Sequence, residues 1–142
     1  MTMFKSSLQI LLSAALVLPQ AAFADWSENT SRGLSIYSAS SGDVKIDLTC
    51  DPDRVFGNTS NASIRISDPK MSRAPRLVIL DRFSGKQAML NQTGGFAFQK
   101  DQSEAEWDAL IKILNEAKSF VAISSDETFT FDVSPLQNLK CT

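Results

Sequence analysis

The sequence predicts a mostly β protein, an antiparallel, β-sandwich-like domain of about eight short strands with one packed amphipathic helix and a short C-terminal helix. Three observations predict this class. Several short segments alternate apolar and polar side chains, which is the period of a strand with one buried face. Clusters of Gly, Pro, Asn, Asp and Ser separate these segments. One longer segment repeats its apolar residues at helical spacing.

The first two predicted strands form a hairpin. Apolar residues alternate over 34–38 and again from Val44 to Cys50. The residues between the two runs, at positions 40–43, are Ser-Ser-Gly-Asp, which are typical of a turn. We expect the second strand to bring Cys50 to the interior.

Four strands are predicted in the middle of the chain. A surface loop rich in turn formers, Asp51–Asn61, leads into a short strand that contains Ile64 and Ile66. The continuous apolar run Leu77–Leu80 fits a strand buried on both faces. Turns that contain glycine join this run to two further strands, KQAML and FAFQ, and this arrangement predicts a meander of three strands.

The helix is predicted over Ser103–Lys118. Ser103 and Glu106 have the spacing of a capping box, in which Ser caps the helix and Glu reaches back to the cap. One apolar stripe marks the face that packs on the domain, and it consists of Trp107, Leu110, Ile111, Leu114 and Ala117.

Two more strands, SFVAIS and ETFTFDV, follow the helix. Ser134 and Pro135 then have the residue types of a helix N-cap and first helical position. They predict a short C-terminal helix whose Leu136 and Leu139 fold back on the sheet, with Cys141 shortly after it.

The first 24 residues have the features of a secretory signal peptide. Lys5 precedes an apolar run, Leu8–Leu18, and the sequence Ala-Phe-Ala at 22–24 fits a cleavage site. A run of about eleven residues is too short to cross a hydrocarbon core as a helix. We therefore expect a single mature domain, 25–142, that starts at Asp25, has no transmembrane segment and is periplasmic or secreted.

The composition of this domain limits its partners and its covalent framework. Setting aside Lys5 from the 14 Lys and Arg leaves 13 cations against 16 Asp and Glu, a net charge of −3. This balance argues against nucleic acid. In an oxidising compartment, the two cysteines, Cys50 and Cys141, predict one intramolecular disulfide.

Catalytic residue types are scarce. The absence of histidine excludes Ser-His-Asp and Cys-His sites and His-ligated zinc. Asp51 and Asp53, with Asp47 nearby, could act as a carboxylate pair or bind Ca²⁺. Their loop departs from the EF-hand pattern, because Gly57 falls one position late and no Glu occupies the twelfth place. We therefore predict neither a catalytic site, nor a cofactor, nor a metal.

Several cations and one tryptophan form a candidate interaction patch. Five cations fall within 17 residues, and the exposed-tryptophan candidate Trp26 lies near the mature N-terminus. A solvated rim of alternating charge is the competing interpretation of these cations. The five are Lys70, Arg73, Arg76, Arg82 and Lys86.

The order of motifs resembles small periplasmic proteins of Gram-negative bacteria. An early Trp, a strand ending in LTC, an amphipathic helix and the terminal TFTFDVSPLQNLKC resemble the VasI-like accessory proteins associated with type VI secretion. The invasion-associated locus B proteins are similar in general plan. The resemblance covers Ser103–Cys141 and the region of Cys50, although Ser134-Pro135 stands where the pattern has Ser/Thr-Gly. It implies a non-enzymatic periplasmic protein that acts by contact.

These observations together predict an exported, non-enzymatic binding or accessory module whose partner is another periplasmic or envelope protein. An alternative is a periplasmic inhibitor or small-ligand-binding protein that uses the basic loops or a pocket between helix and sheet. A carboxylate-dependent hydrolase centred on Asp51 and Asp53 is the third hypothesis.

Overall fold

The computed structural model describes residues 25–57, 61–125 and 127–142, so the predicted signal peptide lies outside the described residues. The described chain forms two antiparallel sheets and one α-helix, which confirms the mostly β prediction. In chain order the elements are β1 (Ser27–Ser31), β2 (Leu34–Ser41), β3 (Val44–Cys50), β4 (Ser63–Ile66), β5 (Arg76–Asp81), β6 (Gln87–Asn91), β7 (Phe96–Phe98), α1 (Glu104–Glu116), β8 (Ser119–Ile123) and β9 (Thr128–Asp132). The first sheet has the order β1-β2-β3-β4-β7 and the second has the order β6-β5-β8-β9.

The predicted first hairpin is β2–β3, and Cys50 at its end is buried as expected. Strand β1, which precedes it, was not predicted. Its sequence, SENTS, contains no apolar residue, and every one of its side chains is exposed. Its strand conformation comes from pairing with β2 through a two-residue turn at Arg32 and Gly33.

The predicted meander of β5, β6 and β7 is wrong, because β7 pairs with β4 in the other sheet. The free edge of β6 is instead bonded by the helical segment. Met89 N–H donates to the Glu106 carboxylate at 2.8 Å, and Asn91 N–H donates to the Gln102 side chain at 2.7 Å. Strand β7 therefore leaves the second sheet, and its Ala97 is fully buried beside β4.

Helix α1 begins one residue later and ends two residues earlier than predicted. Ser103 caps it by accepting from Glu106 N–H at 3.2 Å, so that half of the capping box is confirmed. The other half is wrong, since the Glu106 side chain bonds to β6 instead of the cap. The packed stripe also differs from the prediction: Ile113 is buried, whereas Ile111 is only partly buried.

The predicted short C-terminal helix is wrong: within 133–142 the backbone forms no helix. The last carbonyls of α1 would otherwise lack hydrogen-bond partners, and this tail supplies donors for them. Leu136 N–H donates to the Leu114 carbonyl at 3.0 Å, and Gln137 N–H donates to the Asn115 carbonyl at 3.3 Å. Gln137 and Asn138 both have a φ of 57°, which ends any right-handed helical path there.

The inward side chains of both sheets and of α1 belong to one hydrophobic core. Its end is aromatic, because the Phe120 and Phe131 rings stack with centroids 5.1 Å apart. The Cys50–Cys141 disulfide joins the end of β3 to the tail across a sequence separation of 91.

Candidate binding surfaces

The second sheet carries an aliphatic patch on the face that points away from the core. Cross-strand pairing places Met89, Val78 and Ile123 in one row and Leu80 and Val121 in the next. Met89 is 42% exposed, and the other four side chains are partly exposed. None of the five belongs to the core or to the hydrophobic side chains packed against it. We call these five residues the outer aliphatic patch.

The outward side chains of the first sheet are polar on its central strand, whereas Ile36 of β2 and Phe96 and Phe98 of β7 are partly exposed on the same face. The outward side chains of its central strand β3 include Lys45, Asp47 and Thr49. Asp47 lies opposite Arg65 of β4 in the strand register, and its carboxylate accepts a hydrogen bond from the Ser38 hydroxyl. An antiparallel sheet with one solvated face ordinarily shows this alternation. The outer aliphatic patch departs from it on three adjacent strands, β6, β5 and β8.

Arginine side chains border the patch at both ends of β5. Arg76 lies two residues before Val78 and Arg82 lies two residues after Leu80, so strand alternation places both on the outer side. Arg82 lies 3.8 Å from Asp132 and donates to the Ser119 hydroxyl at 3.2 Å. Arg76 is exposed and takes part in none of the ion pairs found among the described residues. At the Arg76 end of the patch, the cation therefore has no ion pair among the described residues.

The predicted cationic cluster is divided between the two ends of β5. Six residue steps separate Arg76 from Arg82, about 20 Å along a strand. Lys70 and Arg73 lie in the turn that precedes β5, and Lys70 pairs with Glu127 at 3.1 Å. Lys86 follows β5 and lies 3.8 Å from Glu116.

Trp26 lies apart from these cations. Its ring stacks on Phe120 with centroids 6.2 Å apart, at the aromatic end of the core. Its indole N–H is buried and has no hydrogen-bond acceptor among the described residues. The contact with Phe120 makes packing its observed role.

Asp51 organises the loop that follows β3. Its carboxylate is buried and accepts from Val55 N–H at 2.8 Å and from the Asn61 side chain at 3.4 Å. Desolvation acts to raise the pKa of Asp51, but these hydrogen bonds outweigh it and hold that pKa below its ordinary value. A carboxylate held in this way stays ionised, which does not suit a general acid. Asp53, the second member of the predicted pair, is exposed.

A groove of about 780 Å³ lies between α1 and the C-terminal tail. Ile111 and Leu139 give it a partly apolar floor, while Lys112 and Lys140 lie among its exposed residues. The tail wall is held by Asn115, whose side chain donates to the Leu139 carbonyl and accepts from the Leu139 N–H, both at 2.9 Å. The groove is thus built by the same contacts that replace the predicted terminal helix.

Two further features bear on the kind of protein. Across the parts of the chain that the structure describes, no three Asp, Glu or Cys side chains are grouped so as to hold a metal ion. None of the described helices has the length and apolarity needed to span a membrane.

No family model, no curated protein and no solved structure matches the chain. The resemblance to VasI-like proteins therefore stays a prediction.

The outer aliphatic patch was not predicted as a site, although its signal is in the sequence. The continuous run Leu77–Leu80 suggested a strand buried on both faces. The structure buries only one face of that strand and leaves Val78 and Leu80 partly exposed. Such a surface is identified by a run whose inward-facing and outward-facing residues are both apolar, on a strand that has only one covered face.

Proposed function

We propose that this chain is an exported, non-enzymatic binding module that contacts another protein through the outer aliphatic patch. The single observation that supports this most is the aliphatic outward face of β5 and β8, in contrast to the polar outward side chains of β3, the central strand of the first sheet. Large exposed apolar patches with polar surroundings mark sites of protein interaction, and we extend this argument to the smaller cluster on β5 and β8.

The partner's chemistry follows from the patch. Three strands span about 10 Å and two residue steps span about 7 Å, so the apolar centre is much smaller than the roughly 800 Å² per partner of a stable standard interface. We infer a weak contact with one segment of the partner, which presents aliphatic side chains to the patch. A carboxylate of that segment lies opposite Arg76, which forms no ion pair among the described residues.

The remaining parts of the proposal concern location and packing. We infer that the two sheets pack face to face as a sandwich, which the shared core supports and which leaves the patch outward. Export is supported by the sequence features of residues 1–24 and by the Cys50–Cys141 disulfide. An accessory role in secretion or the envelope rests on the resemblance stated above.

Site-specific photocrosslinking in intact cells tests the proposed surface. Gln87 is exposed and lies on the patch face, opposite Leu80. A photoreactive residue at Gln87 is expected to give a discrete adduct with one partner. The matched control is Lys45, which is exposed on the outward face of the first sheet and should give none.

Two surface variants decide whether the adduct depends on the patch. Val78→Thr keeps a β-branched side chain and reduces apolarity, and Arg76→Glu reverses the charge. Both are expected to reduce the adduct at Gln87 by tenfold or more with unchanged thermal stability, within about 0.5 kcal/mol for the exposed Arg76. Equal adducts at Gln87 and Lys45, or an adduct insensitive to both variants, would refute the proposal.

A further inference from the structure

Strand β1 is held in place from its two ends rather than by burial. All its side chains are exposed, yet all five of its residues pair in register with β2. At one end, Trp26 packs on Phe120. At the other end, Arg32 and Gly33 have φ values of 52° and 81°, the positive pair that a tight two-residue hairpin turn requires. The result is a polar edge strand with a fixed register.

The pairing pattern shows which backbone groups of β1 point outward. The turn joins Ser31 to Leu34 as a bonded pair, and bonded pairs alternate along an antiparallel ladder. Asn29 and Ser27 are therefore the next residues bonded to β2. Glu28 and Thr30 direct their N–H and C=O groups to the open side of the strand. Within the described ranges, no hydrogen bond other than those to β2 reaches this backbone.

The other edges of the two sheets are treated differently. The β6 edge is bonded by Glu106 and Gln102, and Gln102 also donates to the Phe98 carbonyl of β7 at 2.9 Å. Strand β9 lies against β2. Strand β1 has neither a covering element nor the Lys, Pro or bulge that protects many edge strands.

We propose that the open edge of β1 binds an extended segment of another protein by strand addition, with a lysine or arginine of that segment beside Glu28. Strand addition uses backbone hydrogen bonds of an exposed edge for affinity, and side-chain contacts for selectivity. Glu28 is the only charged residue of β1. Its carboxylate accepts from the Tyr37 hydroxyl at 3.2 Å, which fixes its position at the edge.

A second copy of this chain fits the edge less well. Two β1 strands that pair antiparallel through their outward groups in a register centred on Asn29 bring two Glu28 carboxylates to diagonal positions about 7 to 8 Å apart, with no cation on either strand. A basic segment of a different protein removes this repulsion. The surface is separate from the outer aliphatic patch, which lies on the second sheet.

A displayed library of random nine-residue peptides is the probe for this edge. We expect selection on the oxidised protein to enrich peptides with a central Lys or Arg. In amide hydrogen exchange, a selected peptide should slow exchange at Glu28 and Thr30 at least tenfold. It should leave the amides of Asn29 and Ser27, already bonded to β2, unchanged.

A pair of variants at one position separates backbone from side-chain effects. Thr30→Pro removes an outward N–H that β2 does not use, and should weaken peptide binding tenfold or more. Thr30→Val keeps that N–H and should change binding less than threefold. Because Thr30→Pro could disturb β1 itself, Glu28→Lys is the second variant, and it should abolish selection of basic peptides.

Several results would overturn the inference. They are equal binding by both Thr30 variants, enrichment of peptides without a basic residue, and protection of amides on β5 or β8 instead of β1. Concentration-dependent protection of Glu28 without peptide would show a second copy at the edge and would also refute it. Arg76→Glu should leave peptide binding unchanged, so the result does not depend on the proposed function of the outer aliphatic patch.

Discussion

Removal of the Cys50–Cys141 disulfide is expected to cost a large part of the folding free energy. The crosslink spans a sequence separation of 91. For a loop of this length, the constraint on the unfolded chain is worth roughly 4 to 5 kcal/mol in the chain-entropy model. Domains of this size have a total stability of roughly 5 to 15 kcal/mol. The variant Cys50→Ala with Cys141→Ala should therefore remain folded only marginally.

Urea unfolding at pH 7, followed by tryptophan fluorescence, measures this loss. With an m-value of about 1 to 3 kcal/mol/M, the midpoint should fall by roughly 1.5 to 4.5 M. Wild-type protein in excess dithiol reductant is the control, because it loses the crosslink but keeps both sulfur atoms. It should unfold at nearly the same midpoint as the variant.

A loss smaller than about 1 kcal/mol would contradict this reasoning, since it would mean that the unfolded chain gains little freedom. A large loss in the variant without one in the reduced wild type would assign the effect to side-chain packing. The tail keeps other contacts in either case, because Trp107 donates to the Cys141 carbonyl at 3.0 Å and Asp51 N–H donates to the Thr142 carbonyl at 2.9 Å.

Two further predictions concern buried polar contacts. Asp51 and Asp81 have pKa values held below the ordinary range by hydrogen bonds that outweigh desolvation, so they stabilise the fold above the pKa of about 3.9 of the unfolded chain. The free energy of unfolding should be constant from pH 7 to 5 and should decline as the pH falls through 4 and below. The variant Asp51→Asn should show a smaller decline. An unchanged urea midpoint between pH 5 and 3 in the wild type would contradict this prediction. Asn115→Ala removes two hydrogen bonds to Leu139 and should lower the free energy of unfolding, measured in urea, by roughly 1 to 3 kcal/mol. The exposed control Lys112→Ala should lower it by less than about 0.5 kcal/mol. Equal effects would show that Asn115 does not secure the tail.

Local patterns identified every strand that has an apolar face. Alternation located β3 and β9, and the Ser103 cap located the start of α1. Strand β1 was missed because alternation requires apolar residues and SENTS has none. Its pairing comes from a turn and from Trp26, and only the folded chain brings Trp26 to Phe120.

The wrong predictions have a common cause in tertiary hydrogen bonds. Ser134 and Pro135 favour a helix start locally, but Ser134 donates to the Asp25 carboxylate at 2.8 Å instead of capping. Glu106 likewise has the right spacing for a capping box, yet the edge of β6 offers its carboxylate the Met89 N–H. In both places a hydrogen-bond partner from a distant segment replaces the partner expected within the cap. The local sequence spacing cannot predict that distant partner.

The outer aliphatic patch illustrates what a sequence can and cannot show about a binding surface. An apolar residue at an outward position is visible in Leu77–Leu80, but its meaning depends on whether another layer covers that face. Here α1, the one α-helix among the described elements, lies along the β6 edge through Glu106 and leaves the face of β5 and β8 open. Because the patch lies on paired strands, four of its five residues on the central strands β5 and β8, its backbone needs no ordering when a partner binds, and little of the contact energy is lost to conformational entropy. A small patch of this kind can therefore support a weak, specific contact that an equally small patch on a mobile loop could not.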